Sequence, residues 1–506
     1  MTQLPVLPVL VPLVAAILML ALHKAAPVVA RGLGFLSVGI LALVSVLLLR
    51  QADGGTVLVV NLGNWPAPFG IAFVADRLSV LMVSITTLIA IPALLSATGG
   101  TDRKGPHFHV FFQMQLAGLN GAFLTGDLFN LFVFFEVLLI ASYGLLAHGG
   151  GAARARAGMH YVALNLVGSV LFLIALGLLY GMLGTLNLAD VAQRLATVPP
   201  EDAALVRTAL ALLVIVFVLK SALMPLGFWL PNAYPAATAP VAALFAVLTK
   251  VGVYALLRLS SVSFEAPVAE GLLLPWLMPV ALATMAVATM GALAAPRLAV
   301  VVAHLLVLST GILAAAIAVG GVPMLTAMLY YLPHTTLVTA ALFLMAGRIA
   351  EQRGAAEDRF TRAARLSGTG WLAAGFLALA VAVTGLPPLS GFLGKVMLLT
   401  AAPAGAMGYA FWAILIVSGF VAALGLARGA SVIFWEPPPE SLADTRPPPP
   451  AEGAGRRVGA LLLAMGFVPA LVLGAAPLSA YARATAEQIM ARQIYIEAVL
   501  PPARAP

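Results

Sequence analysis

Runs of about 18–25 mostly apolar residues recur along the whole chain, separated by short joints rich in Gly, Pro and Arg. At 1.5 Å per residue, about 20 such residues cross the roughly 30 Å hydrocarbon core of a bilayer. Fourteen runs are counted, centred near residues 13, 41, 87, 115, 137, 171, 216, 248, 281, 308, 335, 385, 415 and 466. The pattern predicts an all-α polytopic membrane protein with 14 transmembrane helices. Two runs, the seventh and twelfth, are interrupted by proline in "SALMPLGFWLPNAYP" (221–235) and "TGLPPLSGFLGK" (384–395). Proline frees a backbone carbonyl, which a membrane tolerates only where it lines a polar cavity or finds another partner. Spans 7 and 12 are therefore predicted to be broken. The pieces "PLGF" (225–228) and "PLSGF" (388–392) fall five spans apart. That spacing is what two inverted repeats of five spans each would give, because an odd number of spans reverses orientation.

The chain then divides into spans 1–3 (1–105), a first repeat with spans 4–8 (106–260), a second with spans 9–13 (261–435), and a remainder (436–506). The remainder holds the polar linker "EPPPESLADTRPPPPAEG" (436–453), span 14, and a segment of mixed charge with a broken apolar stripe. That last segment predicts a helix lying at the membrane interface or docking against a partner in the same complex.

Composition agrees with the pattern. Of 506 residues, 62% are hydrophobic and 9% charged, with a mean hydropathy of +1.05. A soluble protein of this size needs far more polar surface. There is no cysteine, which excludes disulfides, Fe–S clusters and thiolate metal sites. No GxGxxG or GxxxxGK[ST] segment marks a nucleotide site, and nothing calls for a cofactor or a bound metal. The formal charge of +8 does not point to nucleic acid, because the cations are scattered through joints rather than gathered in a patch. Odd-numbered joints carry 16 Lys and Arg and even-numbered joints carry 5. By the positive-inside rule the odd joints are cytoplasmic and both termini outside. His23 and Lys24 follow the first run instead of preceding it, so that run reads as an uncleaved helix rather than a signal peptide.

Of 27 Lys and Arg, 24 belong to joints or the C-terminal tail; the other three, Lys220, Lys250 and Lys395, fall inside spans. Among 19 acids only Glu136, in "GDLFNLFVFFEVLLIASYGL", lies deep in a span, as do His304 and His334 among seven histidines. Glu136 is nine residues past Asp127, about 14 Å in; Lys250 is ten past Pro240, about 15 Å. His334 and Lys220 come out at about 16 Å and His304 at about 10 Å. Six ionisable groups at one depth make a row along the midplane, not a pore across it. Intramembrane ionisable groups are costly and are usually functional. His304 and His334 also fit plain interhelical hydrogen bonding, and Asp127 fits a helix cap.

Burial penalises the charged form of any such group and a nearby opposite charge favours it. A proton or cation reaching Glu136 would weaken its hold on Lys220, and the shift would pass through Lys250 and the histidines to Lys395. Groups linked in this way titrate as a set. Glu136 is read as the end switch of a lateral proton wire, placed close to Lys220.

The segments "GDLFNLFVFFEVLLIASYGL", "KSALMPLGFWLPNAYPAATAPVAALFAVLTKVGVYALLR" and "GLPPLSGFLGKVMLL" resemble the D-type membrane component of the multisubunit Mrp-type (Mnh or Pha) monovalent cation/proton antiporters, over about residues 75–435. The resemblance extends more loosely to the antiporter-like subunits of respiratory complex I. It implies a proton-translocating subunit of a Na⁺(K⁺)/H⁺ antiporter in the bacterial plasma membrane, a transporter component and not an enzyme. It implies other antiporter subunits as partners, and proton-transfer roles for Glu136, Lys220, Lys250, His304, His334 and Lys395. Span 12 carries Lys395 where one complex I subtype has glutamate. A proton-pumping subunit of complex I or of a membrane-bound hydrogenase is the alternative. A scaffold component and a stand-alone transporter are two further readings. No carboxylate-rich cage for Na⁺ is visible, which leaves the cation site to another member of the complex.

Overall fold

The computed structural model describes residues 3–22, 27–364, 366–439 and 452–500. The described chain is a helical bundle with one two-stranded ribbon. Helices α1 (Leu7–Ala21), α2 (Pro27–Asp53) and α3 (Arg77–Ala97) come first, with β1 (Leu58–Asn61) and β2 (Ala72–Ala75) paired antiparallel between α2 and α3. Next are α4 (Phe108–Leu124), α5 (Leu128–Ala147), α6 (Ala152–Leu183), the short α7 (Leu188–Leu195) and α8 (Ala203–Lys220). After α8 the chain turns through α9 (Leu230–Ala233) into α10 (Ala239–Phe245) and α11 (Leu248–Ser263). Then follow α12 (Leu274–Ala294), α13 (Leu298–Val319), α14 (Gly321–Gln352), α15 (Thr369–Thr384), α16 (Ser390–Ala401) and α17 (Ala406–Ala430). The last are α18 (Ala454–Leu473), α19 (Ala475–Met490) and α20 (Arg492–Val499).

Among the described residues, 12 helices are long and apolar enough to cross a membrane. The sequence count of fourteen also takes in α4, which has 17 residues, and the α15–α16 pair of 16 and 12. Spans 7 and 12 are broken where the prolines stand, after Lys220 and after Thr384. Span 8 is broken as well, between Phe245 and Leu248, where no proline or glycine marks the sequence. Most of the linker, residues 440–451, lies outside the described residues.

Local chemistry sets several boundaries. Asp127 caps α5, its Oδ1 accepting from the Asn130 amide at 2.8 Å, so the capping reading holds. Asp76 and Ser79 form a reciprocal capping box on α3, which satisfies two otherwise orphaned amides. Gly385, at φ +80°, ends α15 in the left-handed region that glycine adopts without steric cost.

The α10–α11 unit, α13 and α14 are enclosed by other helices, whereas α1, α2, α6, α12, α17 and α18 turn apolar side chains such as Leu166, Phe420 and Leu462 outward. One end carries most of the cations. There Asp102, between α3 and α4, accepts from Arg31 at 2.7 and 2.9 Å and lies 3.0 Å from His109 Nε2. Burial pushes the Asp102 carboxyl up, but the hydrogen bonds from His109 and Arg31 and the Arg31 charge outweigh it, holding the group below its ordinary range.

At the opposite end Arg258 pairs with Asp76 at 2.7 Å, and both are almost fully buried. The Tyr254 and Tyr495 rings lie 5.4 and 4.9 Å from the guanidinium. Arg258 thus belongs to α11 and to a buried pair, not to a solvated joint as the charge count implies. The mixed-charge segment forms α19 and α20, and one face of it is buried on the chain itself. Tyr481 donates to Arg77 O at 2.9 Å, the Arg77 amide donates to Gln488 at 3.0 Å, and Arg492 pairs with Glu265 at 3.0 Å.

Candidate functional site

Glu136 stands on α5 in line with Phe129, Val133 and Ile140, all exposed apolar residues of the same helical stripe. It is half-buried, and its Oε1 accepts from the Ser169 hydroxyl of α6. The carboxylate thus rests on the partly exposed side of α5. Counting residues gives depth along a helix axis; it does not give the direction around it.

Lys220 ends α8. Its Nζ donates to Asn165 of α6, 3.1 Å from Oδ1, and lies 5.8 Å from the centre of the Phe135 ring. Gly168 of α6 leaves room for the side chain, since a Cβ there would lie 3.7 Å from Nζ and 2.6 Å from Leu219. Glu136 and Lys220 form no ion pair among the described residues, but they lie near enough, as expected, for the Glu136 charge to act on Lys220. Their partners, Asn165 and Ser169, are one turn apart on α6 and so share a face.

Lys250 is fully buried on α11 and donates to Ser309 Oγ of α13 at 2.7 Å. His304, five residues earlier on α13, packs over Gly291 of α12, where a Cβ would collide with the ring. It is partly buried and makes no hydrogen bond among the described residues. His334 is buried on α14 with Nδ1 2.9 Å from Ser390 Oγ at the start of α16. Lys395 of α16 donates to the Thr384 carbonyl at 2.7 Å. That carbonyl is free because Pro388, four residues on, has no amide hydrogen to offer. The break in span 12 thus creates the acceptor that holds Lys395.

Glu136, Lys220, Lys250, His334 and Lys395 therefore stand on separate helices, each joined to a neutral hydroxyl, amide or carbonyl. Sequence reading missed Asn165, Ser169, Ser309 and Ser390. Small polar residues are common in membrane helices, and only their placement against a buried charge distinguishes these. A cavity of about 550 Å³ opens at the cation-rich end, lined by Arg154, Arg297, Arg348 and Arg457 and reaching Tyr234 and Thr238 beside the span 7 break. The Tyr234 and Thr238 hydroxyls are buried there without a protein partner.

An all-helical membrane bundle with lysines inside broken spans defines a class of ion-translocating subunits. A family profile described as "NADH:quinone oxidoreductase/Mrp antiporter, TM" matches residues 125–423, and the chain belongs to that family. It is 38% identical to a probable D-type component of a K⁺/H⁺ antiporter of Rhizobium meliloti, over 99% of this chain and 98% of that protein. It is 34% identical to the D-type component of a Na⁺/H⁺ antiporter of Alkalihalophilus pseudofirmus, over 99% and 100%. Among solved structures, a chain of the Mrp complex of Dietzia sp. superposes with a TM-score of 0.88 at 29% identity, covering 99% of this chain and 100% of that one. A chain of respiratory complex I of Thermus thermophilus gives 0.76 at 28%, over 96% and 99%.

Proposed function

We propose that this chain is the proton-translocating subunit of a multisubunit monovalent cation (Na⁺ or K⁺)/H⁺ antiporter in a bacterial plasma membrane, working as a transporter component rather than an enzyme. The observation that carries the reading is the set of three buried lysines on three helices, each held by neutral partners and none by a carboxylate. An ammonium fixed by neutral dipoles has no counter-charge locking its protonation state, so its proton can be passed on. The proposed order is Glu136, Lys220, Lys250, His334 and Lys395, with His304 as a side branch on α13. Ser169 and Asn165 on one face of α6 support a handover between Glu136 and Lys220 without contact. The cavity at the cation-rich end, taken as cytoplasmic by the positive-inside rule, gives water a way towards the span 7 break.

Identity to D-type antiporter components along nearly the whole chain favours the antiporter. The alternative, a complex I-type proton-pumping subunit, is supported by the fold shared with a complex I chain. The test is cation-driven proton movement in everted vesicles carrying the assembled complex. Glu136→Gln keeps the shape and removes the titration, and should abolish exchange while the complex still assembles. Wild-type exchange by that variant would refute the reading.

A further inference from the structure

The cavity at the cation-rich end carries more donors than its own carboxylates can use. Six Lys and Arg side chains line it against three carboxylates, Glu351, Glu357 and Asp358. Each carboxylate is already engaged. Glu351 takes both Arg348 and Arg457, Glu357 takes Arg297, and Asp358 takes Arg297 together with the Ala299 amide at the start of α13. Six cations against three acids leave an excess of three positive charges. Arg154 meets only the carbonyls of Gly150 and Ala236.

Four buried donors of the same lining are unmade. Arg348 Nε, Arg457 Nε and the Tyr234 and Thr238 hydroxyls have no hydrogen-bond partner among the described residues. The packing sets them near one another. Gly347, just before Arg348, abuts Ala239, just after Thr238: a Cβ built on the glycine would lie 2.2 Å from that of Ala239. Glu351 ties Arg348 to Arg457, and Arg154 ties the start of α6 to the turn between Tyr234 and Thr238. The start of α13 already has the Asp358 carboxylate. The start of α6, which lines the cavity through Gly151 and Ala153, has no side chain capping its first amides, and a helix N-terminus favours an anion. Water satisfies a hydroxyl but leaves the excess charge unanswered; an anion answers both.

We propose that this cavity binds a phosphate group, with Arg348 and Arg457 as its charged contacts and Tyr234 and Thr238 as its hydroxyl donors. Phosphate offers several acceptor oxygens and suits the arginine fork. The cavity's volume of about 550 Å³ is that of a small-ligand site. The group has two sources: a free phosphate ion, or the headgroup of an anionic lipid, which basic pockets between membrane helices take up at the cytoplasmic side. The proposal goes beyond the transport reading and stands without the proton route.

The test takes the assembled, delipidated complex and two probes at constant ionic strength in chloride: radiolabelled inorganic phosphate, and phosphatidylglycerol whose retention is read by native mass spectrometry. The wild type should bind at least one of them saturably. Arg348→Gln should weaken that binding by about tenfold or more, the loss of a charge-assisted hydrogen bond. Tyr234→Phe combined with Thr238→Val removes two unpaired hydroxyls and keeps the packing, so it should assemble even where Arg348→Gln does not, and weaken binding by about fivefold. Arg156→Gln, exposed on α6 and outside the cavity lining, should leave binding unchanged. Retention of phosphatidylglycerol over phosphatidylcholine, lost in the variants, assigns the site to a lipid headgroup. Phosphate binding that phosphatidylglycerol does not displace assigns it to the free ion. If the wild type binds neither probe, or if binding is the same in the variants as in the wild type, the proposal is overturned.

Discussion

The middle of the bundle and its two ends treat charge in opposite ways. At the ends, cations meet carboxylates: the buried Arg258 with Asp76 at 2.7 Å and the partly buried Arg31 with Asp102 at 2.7 Å. In the middle, Lys220, Lys250 and Lys395 meet an amide, a hydroxyl and a carbonyl. A paired buried charge is fixed in its ionised state, and losing one partner leaves the other uncompensated. A buried cation with neutral partners is less firmly held in one state. Pairing at the ends serves stability; withholding a carboxylate from the middle leaves protonation free to change.

The comparison breaks most visibly if the middle proves dispensable. Lys250→Ala and Lys395→Ala should abolish exchange in vesicles while the complex assembles, whereas Lys104→Ala, on an exposed joint, should leave the rate unchanged. Equal effects of span and joint substitutions would count against a midplane route.

The second largest effect belongs to the ends. Asp76→Asn should destabilise the purified complex by about 3–5 kcal/mol, by stranding Arg258 in a buried site. Combining it with Arg258→Met should cost less than the sum of the single changes. A thermal unfolding series reads this directly. Additive losses would mean that the pair does not interact.

A finer cut concerns Glu136 and Lys220. Although they make no ion pair, the Glu136 charge acts on Lys220, so Glu136→Gln and Lys220→Met should show a coupling of about 0.5–3 kcal/mol in stability. Strict additivity would mean that the two do not interact.

The smallest effect is a pH dependence at the cation-rich end. Burial pushes His148, at the end of α5, below its usual 6.5, although its ring Nε2 donates to Thr101 O, which works the other way. A histidine lowered in the folded state takes up its proton more readily on unfolding, so stability is lost as pH falls below about 6.5. His148→Gln should flatten the thermal-midpoint profile between about pH 7 and 5, the range that brackets the ordinary histidine value.

Much of this arrangement is legible in the sequence. Apolar run length gives the bundle. Proline marks two of the three breaks. The break after Phe245 carries no such residue. Depth without direction is also why the sequence does not show that Glu136 rests half-buried against α6. Arg258 counts among joint cations because a sequence shows where a run ends and not what covers the end. Asn165, Ser169, Ser309 and Ser390 escape notice for a different reason: none is unusual until a lysine, a histidine or a carboxylate is seen to rest on it.

The cover that Tyr495 places over Arg258 has a consequence in time. The aromatic ring is synthesised more than two hundred residues after the guanidinium it shields. Until α20 arrives, Asp76 and Arg258 lack part of their roof. The closing of that end therefore waits for the last described helix, and a polypeptide cut short before residue 495 leaves the ion pair without that ring.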